Sequence, residues 1–152
     1  MVTFQRNGIR FVLRVAGIAI SDNKVLLTKN IKDDYWFIPG GRIEESEDSK
    51  AAIIREMKEE LDQNIKIVKY LCMIENFFME NDIKYHEVGI YYKIIVPQKW
   101  SGTKTITENE QIMEFKWIRI DEFEEIIVYP QNIKNIIKGN NIQMNYIIRE
   151  YN

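Results

Sequence analysis

The sequence predicts an α/β fold, a mixed β-sheet covered by helices, built as one domain over residues 1–152. Three observations predict it. Segments rich in β-branched and aromatic residues recur along the chain between turn signals. One mid-chain segment, residues 47–61, follows a helical period, and further helical stretches fall near the end. At least two consecutive strand pairs are joined by short turns, as hairpins are, so the sheet cannot be all parallel.

Each element follows from its residues. RFVLRVAGIAI (10–20) reads as a strand, SDNK as a turn and VLLTKN as the returning strand. YWFI (35–38) is a short apolar run that stops at Pro39, and Pro39-Gly40-Gly41 opens a loop. After the helix, residues 65–79 form a long strand, ENDIK a turn and residues 85–96 another strand. Residues 97–111 are polar and read as a loop, and MEFKWIRI returns to strand. Asp121 and Glu124 suggest a capping box on a short helix. A second helix runs from Pro130 to Lys138 and stops at Gly139. The tail NIQMNYIIREY reads as a strand or a helix, with strand preferred. No repeat or linker divides the chain.

Bulk properties exclude some functions. With 21 basic and 23 acidic side chains the net charge is -2, which gives no general attraction to nucleic acid or anionic membrane. One cysteine, Cys72, and one histidine, His86, make a poor zinc set, and Cys72 sits among apolar residues as a structural thiol would. No secretory signal or membrane-length apolar run is visible, so the expected location is cytoplasmic.

The helix carries the chemistry. On a wheel, Ile53, Ile54, Met57 and Leu61 form the apolar stripe. Glu56, Glu59 and Glu60 fall beside it, three and four residues apart, with Lys58 turned away. Three carboxylates so placed repel one another, more strongly as water is excluded. The pattern is either a solvated acidic face or a cradle for a hard divalent cation such as magnesium, manganese or calcium. Gly40-Gly41 permits close backbone approach just before it, and Glu44, Glu45 and Glu47 add acids at the loop and helix start.

Gly41 to Gln63 resembles the Nudix box, G-x5-E-x7-R-E-U-x-E-E-x-G-U, where U is a bulky aliphatic residue. Gly41, Glu47, Arg55, Glu56, Met57, Glu59 and Glu60 fall at the required spacing. Asp62 stands where the box has glycine and Gln63 where it has an aliphatic residue, which leaves open where the helix ends. The resemblance implies a Nudix-like α/β/α sandwich. It also implies Mg2+ (or Mn2+) on Glu56, Glu59, Glu60 and the Gly40 carbonyl, and a supporting Glu47–Arg55 ion pair.

The implied reaction is hydrolysis of a nucleoside diphosphate linked to another group, by water attack on phosphorus. Glu60 and Glu59 are the first candidates for the base, then Glu87, with Glu110 also outside the box; Arg55 belongs to the same machinery. Tyr35, Trp36, Gly41 and His86 are the candidate substrate contacts. Each aromatic is equally a packing residue, and His86 equally a strand residue with a structural hydrogen bond. Phe77, Phe78 and Tyr85 are a possible second wall, Arg14 and Lys29 either phosphate contacts or surface charges, and Trp117 a packing residue. The expected partner is a small nucleotide, without nucleic acid or membrane, and a homodimer is compatible with the apolar tail. The alternative is a non-catalytic Nudix module that binds a nucleotide as a sensor.

Overall fold

The computed structural model describes residues 1–139 and the backbone of 147–151. In chain order the elements are β1 (Thr3–Arg6), β2 (Ile9–Ser21), β3 (Lys24–Asn30), β4 (Tyr35–Phe37), β5 (Gly40–Arg42), α1 (Ser49–Leu61), β6 (Lys66–Glu80), β7 (Ile83–Ile95), β8 (Thr103–Glu108) and β9 (Gln111–Arg119). A 3-10 helix (Ile120–Glu125), β10 (Ile127–Tyr129), α2 (Asn132–Ile137) and β11 (Ile147–Tyr151) follow. Residues 140–146, the first part of the tail expected as strand, lie outside the described residues.

Four hairpins are closed by two-residue turns that begin with Asn or Asp. Asn7-Gly8, Asp22-Asn23, Asn81-Asp82 and Asn109-Glu110 all have positive φ at both positions. That is the requirement of a type I′ turn, whose twist matches that of the flanking strands, and Asn and Asp tolerate it better than other side chains. Two of these hairpins correct the expectation from sequence. Residues 3–6 pair with β2, and part of the expected loop 97–111 is β8, paired with β9. The expected loop at Gly40-Gly41 is likewise a short strand, β5, paired with β2.

The sheet is mixed. β2 runs parallel to β7 over eleven register pairs from Ile9↔Lys84 to Ala19↔Ile94, and β7 is antiparallel to β6. β3, β4, β8, β9 and β10 form the other half, which joins β2 only through Ile20↔Val25 and Ser21↔Lys24. Alternation along β2 feeds two cores. Val15 and Ala19 face α1 residues Ala52, Ile53, Met57 and Leu61, with Trp117 in the same cluster. Ala16 and Ile18 face the second core, where Phe123, Ile133 and Ile137 cover the sheet and Cys72 is fully buried. Helices on both sides of one mixed sheet make the α/β/α sandwich.

Capping and packing of the helices explain three departures. α1 starts at Ser49, not 47: Asp48 is the N-cap and accepts from the Lys50 and Ala51 amides at 2.9 and 3.0 Å. Ile54, expected in the apolar stripe, is 46% exposed, because the cores take only Ile53, Met57 and Leu61 from that side. The capping box at Asp121 does not form. No side chain caps the 3-10 helix, and Asp121 pairs instead with Arg119.

Candidate metal and substrate cleft

Arg55 is the hub of the loop and helix. Its Nε and Nη2 donate to the two oxygens of Glu47 at 2.8 and 2.9 Å, a bidentate pair. Nη1 donates to Glu56 at 2.7 Å and Glu59 at 3.2 Å, and Nη2 also reaches the Arg42 carbonyl at 3.1 Å. The Arg55 guanidinium is thus committed within the protein, and its chemistry is to hold acids in place. Because Asp48 takes the cap, Glu47 stays outside the helix, where it also accepts from the Glu44 amide at 3.0 Å. The bond from Arg55 holds the Glu47 carboxyl down at about 2. Glu44 and Glu45 are taken up by the Met1 amino group.

Gly41 makes room for Glu56. A Cβ there would fall 2.2 Å from the Glu56 carboxyl carbon. Gly40, at φ +154, lies so close to β2 that a Cβ would meet the Val15 carbonyl oxygen at 2.1 Å. The glycines therefore let loop, strand and carboxylate occupy one small volume. Burial pushes the Glu56 carboxyl up, against the pull of Arg55.

Glu60 is the most perturbed acid with an open face. Burial, then the charges of Glu56 and Glu108, push it up to about 8, and Arg14 opposes them. Its Oε2 is buried without a hydrogen-bond partner. Glu59, Glu60 and Glu108 line a cleft of about 240 Å³ with Ile106 and Thr107. Glu108, missed in the sequence, comes from the end of β8. The Thr-rich alternation of TKTITE, followed by Asn, was the strand-and-turn signal that could have found it. Glu110, the acid considered there, is exposed in the turn itself.

Among the described residues, no three His, Cys, Asp or Glu side chains converge on a single point that could hold a metal ion as they stand. Arg55 bonds Glu56 and Glu59 in this conformation, Glu59 being its i+4 neighbour on the helix. The donor set still fits a hard divalent cation. An unpaired buried carboxylate oxygen surrounded by three more acids is the arrangement that a cation relieves.

The other candidates separate. Glu87 lies on β7 opposite Val12 of β2 and Asn76 of β6. Burial pushes its carboxyl up, while Arg14, a hydrogen bond from Asn76 and Arg42 pull it down. Tyr35 packs edge-on to Tyr129 and near Phe37, and burial pushes its hydroxyl up to about 12. Trp36 packs on the second core, with the Lys29 ammonium 5.3 Å from its ring centroid. Lys29 also donates to the Asp33 carbonyl at 3.0 Å. His86 stacks on Phe77 at 4.5 Å and meets Phe11 edge-on, with Nε2 3.4 Å from Glu75. Phe78 stacks on Tyr85 across the same hairpin. His86, Phe77, Phe78 and Tyr85 thus form cross-strand pairs along the β6–β7 arm.

The two departures from the box have local explanations. Asp62 takes the left-handed conformation itself, at φ 54 and ψ 36, and its amide bonds the Lys58 carbonyl at 3.0 Å. Gln63 is buried and accepts the Gln98 amide at 3.1 Å, so its polar end ties the segment after β7 to the end of α1.

The family model of the NUDIX domain matches the chain over residues 11–138. The chain belongs to the NUDIX family. It is 30% identical over 114 residues to an 8-oxo-dGTP diphosphatase of Buchnera aphidicola subsp. Schizaphis graminum, a match covering 72% of this chain and 78% of that protein. It is 25% identical over 138 residues to an RNA pyrophosphohydrolase of Pelagibacter ubique, covering 81% of this chain and 82% of that one. A MutT protein structure from Bacillus halodurans superposes with a TM-score of 0.62 at 18% identity, over 90% of this chain and 89% of that one. The protein is a MutT-like Nudix hydrolase. Among the described residues, no helix is long and apolar enough to cross a membrane.

Proposed function

We propose that this Nudix hydrolase cleaves a pyrophosphate bond in a small nucleotide, with Mg2+ or Mn2+ held by Glu56, Glu59, Glu60 and the Gly40 carbonyl. The observation that carries the proposal is the buried, unpaired Glu60 oxygen at a cleft it shares with Glu59 and Glu108. When bound, the cation supplies charge stabilisation for the attacking and leaving oxygens.

The chain's own residues do the rest. Glu47 and Arg55 fix Glu56 and Glu59 against the glycine strand. Glu60, the least committed of the box acids, is the first candidate to accept the proton of the attacking water. Glu59, 60% exposed and bonded to Arg55, is the second, and Glu87 lies deeper on the sheet face as the third. Glu108 adds a fourth acid to the cleft wall. The leading substrate class is nucleoside triphosphates, oxidised guanine triphosphates first, by likeness to the Buchnera diphosphatase.

The test is product release with Mg2+ from a panel of canonical and oxidised triphosphates, ADP-ribose, nucleotide sugars, diadenosine polyphosphates and triphosphate-ended RNA. Wild type is compared with Glu59→Gln and Glu60→Gln. Turnover of a nucleotide that the variants largely lose supports the reading. Nucleotide binding without turnover would transfer the case to a sensor.

A further inference from the structure

The edge of an open sheet exposes unpaired backbone groups, and proteins blunt it with charge, bulges or short length. Most edges of this sheet are blunted in that way. The stretch of β6 before Met73 pairs only with β7, and there Lys66 and Lys69 are exposed and two register shifts interrupt the ladder. β10 has three residues, and β1 has four and ends at Arg6. β8 is different. It pairs with β9 alone, so its outer edge is open among the described residues.

The turn at Asn109-Glu110 fixes which groups face outward. In a two-residue hairpin the flanking residues, here Glu108 and Gln111, exchange both hydrogen bonds, and bonded and non-bonded pairs then alternate. Ile106↔Met113 and Lys104↔Phe115 are therefore bonded pairs as well. The Ile112 carbonyl, at the intervening position of β9, turns away from β8 and accepts the Ile31 amide at 2.9 Å, as this phase requires. Thr103, Thr105 and Thr107 are left with N–H and C=O groups pointing out of the sheet, and all three are exposed. None of them is charged. The lysine of the strand, Lys104, is turned to the Leu61 carbonyl at the end of α1.

This edge is complementary to itself. Two copies of β8 laid antiparallel about a twofold axis at Thr105 bring Thr105 opposite the second copy's Thr105, and Thr103 opposite its Thr107. The outward N–H and C=O groups of all three threonines then find partners. Thr–Thr pairs are favourable neighbours across strands. On the other face Lys104 meets the second copy's Ile106, so no like charges oppose one another. Such a pairing is isologous and closed, so assembly stops at two.

We propose that the open edge of β8 is a homodimer interface, in which the β8 strands of two copies pair antiparallel about Thr105. β8 also lines the acidic cleft through Ile106, Thr107 and Glu108, so the second copy stands beside each cleft. Two strands of 6 residues bury less than a standard interface, so the dimer is weak and its population rises with protein concentration.

Sedimentation equilibrium over about 10–500 µM chain measures the association, and wild type should move from monomer towards dimer across that range. Thr105→Lys and Thr105→Glu each set like charges opposite one another and should weaken the dimer by about fivefold or more, whereas an equimolar mixture of the two should dimerise again. Thr105→Pro removes one outward N–H from each copy without touching the β9 ladder, and should weaken the dimer by about tenfold or more. Thermal midpoints of the dilute Lys and Glu variants should match wild type, since Thr105 is exposed. The proposal is overturned if wild type stays monomeric throughout, if any of the three variants alone dimerises as wild type does, or if the Lys and Glu mixture stays monomeric.

Discussion

Gly41→Ala is the most informative single change in the cleft. An added Cβ would lie 2.2 Å from the Glu56 carboxyl carbon and 2.3 and 2.4 Å from its oxygens, where ordinary contact begins at 3.4 Å. Relief needs a movement of about 1 Å, at a site with little slack, because interiors are close-packed. Glu56 is only 9% exposed and its Oε1 is held by Arg55 at 2.7 Å. Overpacking of this kind costs about 1–3 kcal/mol, and each kcal/mol lowers the melting temperature of a chain this size by about 2–4 °C. A displacement of that size at a proposed ligand lowers activity by about 10²-fold. Urea unfolding and initial rates measure both. The decisive control is Glu56→Asp, whose shorter side chain withdraws the clashing carboxylate. The double variant should be less destabilised than the sum of the two single changes. Strict additivity, or a Gly41→Ala protein with wild-type stability and rate, would refute the steric argument.

Further predictions concern the acids and the box departures. Glu47 has a folded-state pKa of about 2 against an ordinary 4.5, so its pairing with Arg55 stabilises the protein above about 4.5 and is lost as pH falls through about 2. The gap between the urea midpoints of wild type and Glu47→Gln should therefore be full at pH 6, narrow steadily below about pH 4.5 and close only below about pH 2; a gap that stays constant from pH 6 to 3 would contradict the ion pair. Glu60 shifts the other way, from 4.5 to about 8, so the metal-free protein should lose stability as pH rises across that window. Adding Mg2+ at pH 8.5 should reverse the loss in wild type and not in Glu60→Gln, as read by thermal midpoint. Gln63→Leu, which restores the aliphatic residue of the box, should destabilise by no more than about 0.5–1.5 kcal/mol, the net worth of the hydrogen bond from the Gln98 amide. Asp62→Gly, which restores the glycine, should be neutral or stabilising in the same assay, since φ 54 suits glycine and the Lys58 pair it removes is exposed.

The box, its helix and the two-sided covering of a mixed sheet could be read from the chain because they depend on spacing and periodicity. Ile53, Met57 and Leu61 repeat at helical intervals, and Gly41 to Glu60 keep fixed offsets. What escaped depended on contacts between distant residues. Arg55 and Glu59 are neighbours four residues apart on α1, but that the same guanidinium also holds Glu56 and the Arg42 carbonyl depends on how β5 packs beside the helix. Trp36, a candidate because it precedes the glycine loop, packs on the second core, and His86, a candidate as the one histidine, stacks on Phe77 across the β6–β7 pair; both contacts depend on pairing between distant strands. Arg14 and Glu87 lie more than seventy residues apart, and only the β2–β7 register brings them to one face. The first hairpin is legible in the sequence, because Asn-Gly, here Asn7-Gly8, is the strongest short-range hairpin signal.

Lys104 gives the cleft a property of its own. Its ammonium bonds the Leu61 carbonyl at 3.0 Å, at the end of α1 where a positive charge is favoured, and lies over Trp100. The same strand ends four residues later at Glu108. One strut thus sets how far the β8–β9 arm stands from the acidic helix before any ligand arrives. The strut holds the wall that carries Glu108 to the end of α1, whereas Glu56 and Glu59 have to leave Arg55 to meet a cation, so one side of the cleft is set in advance and the other has to rearrange.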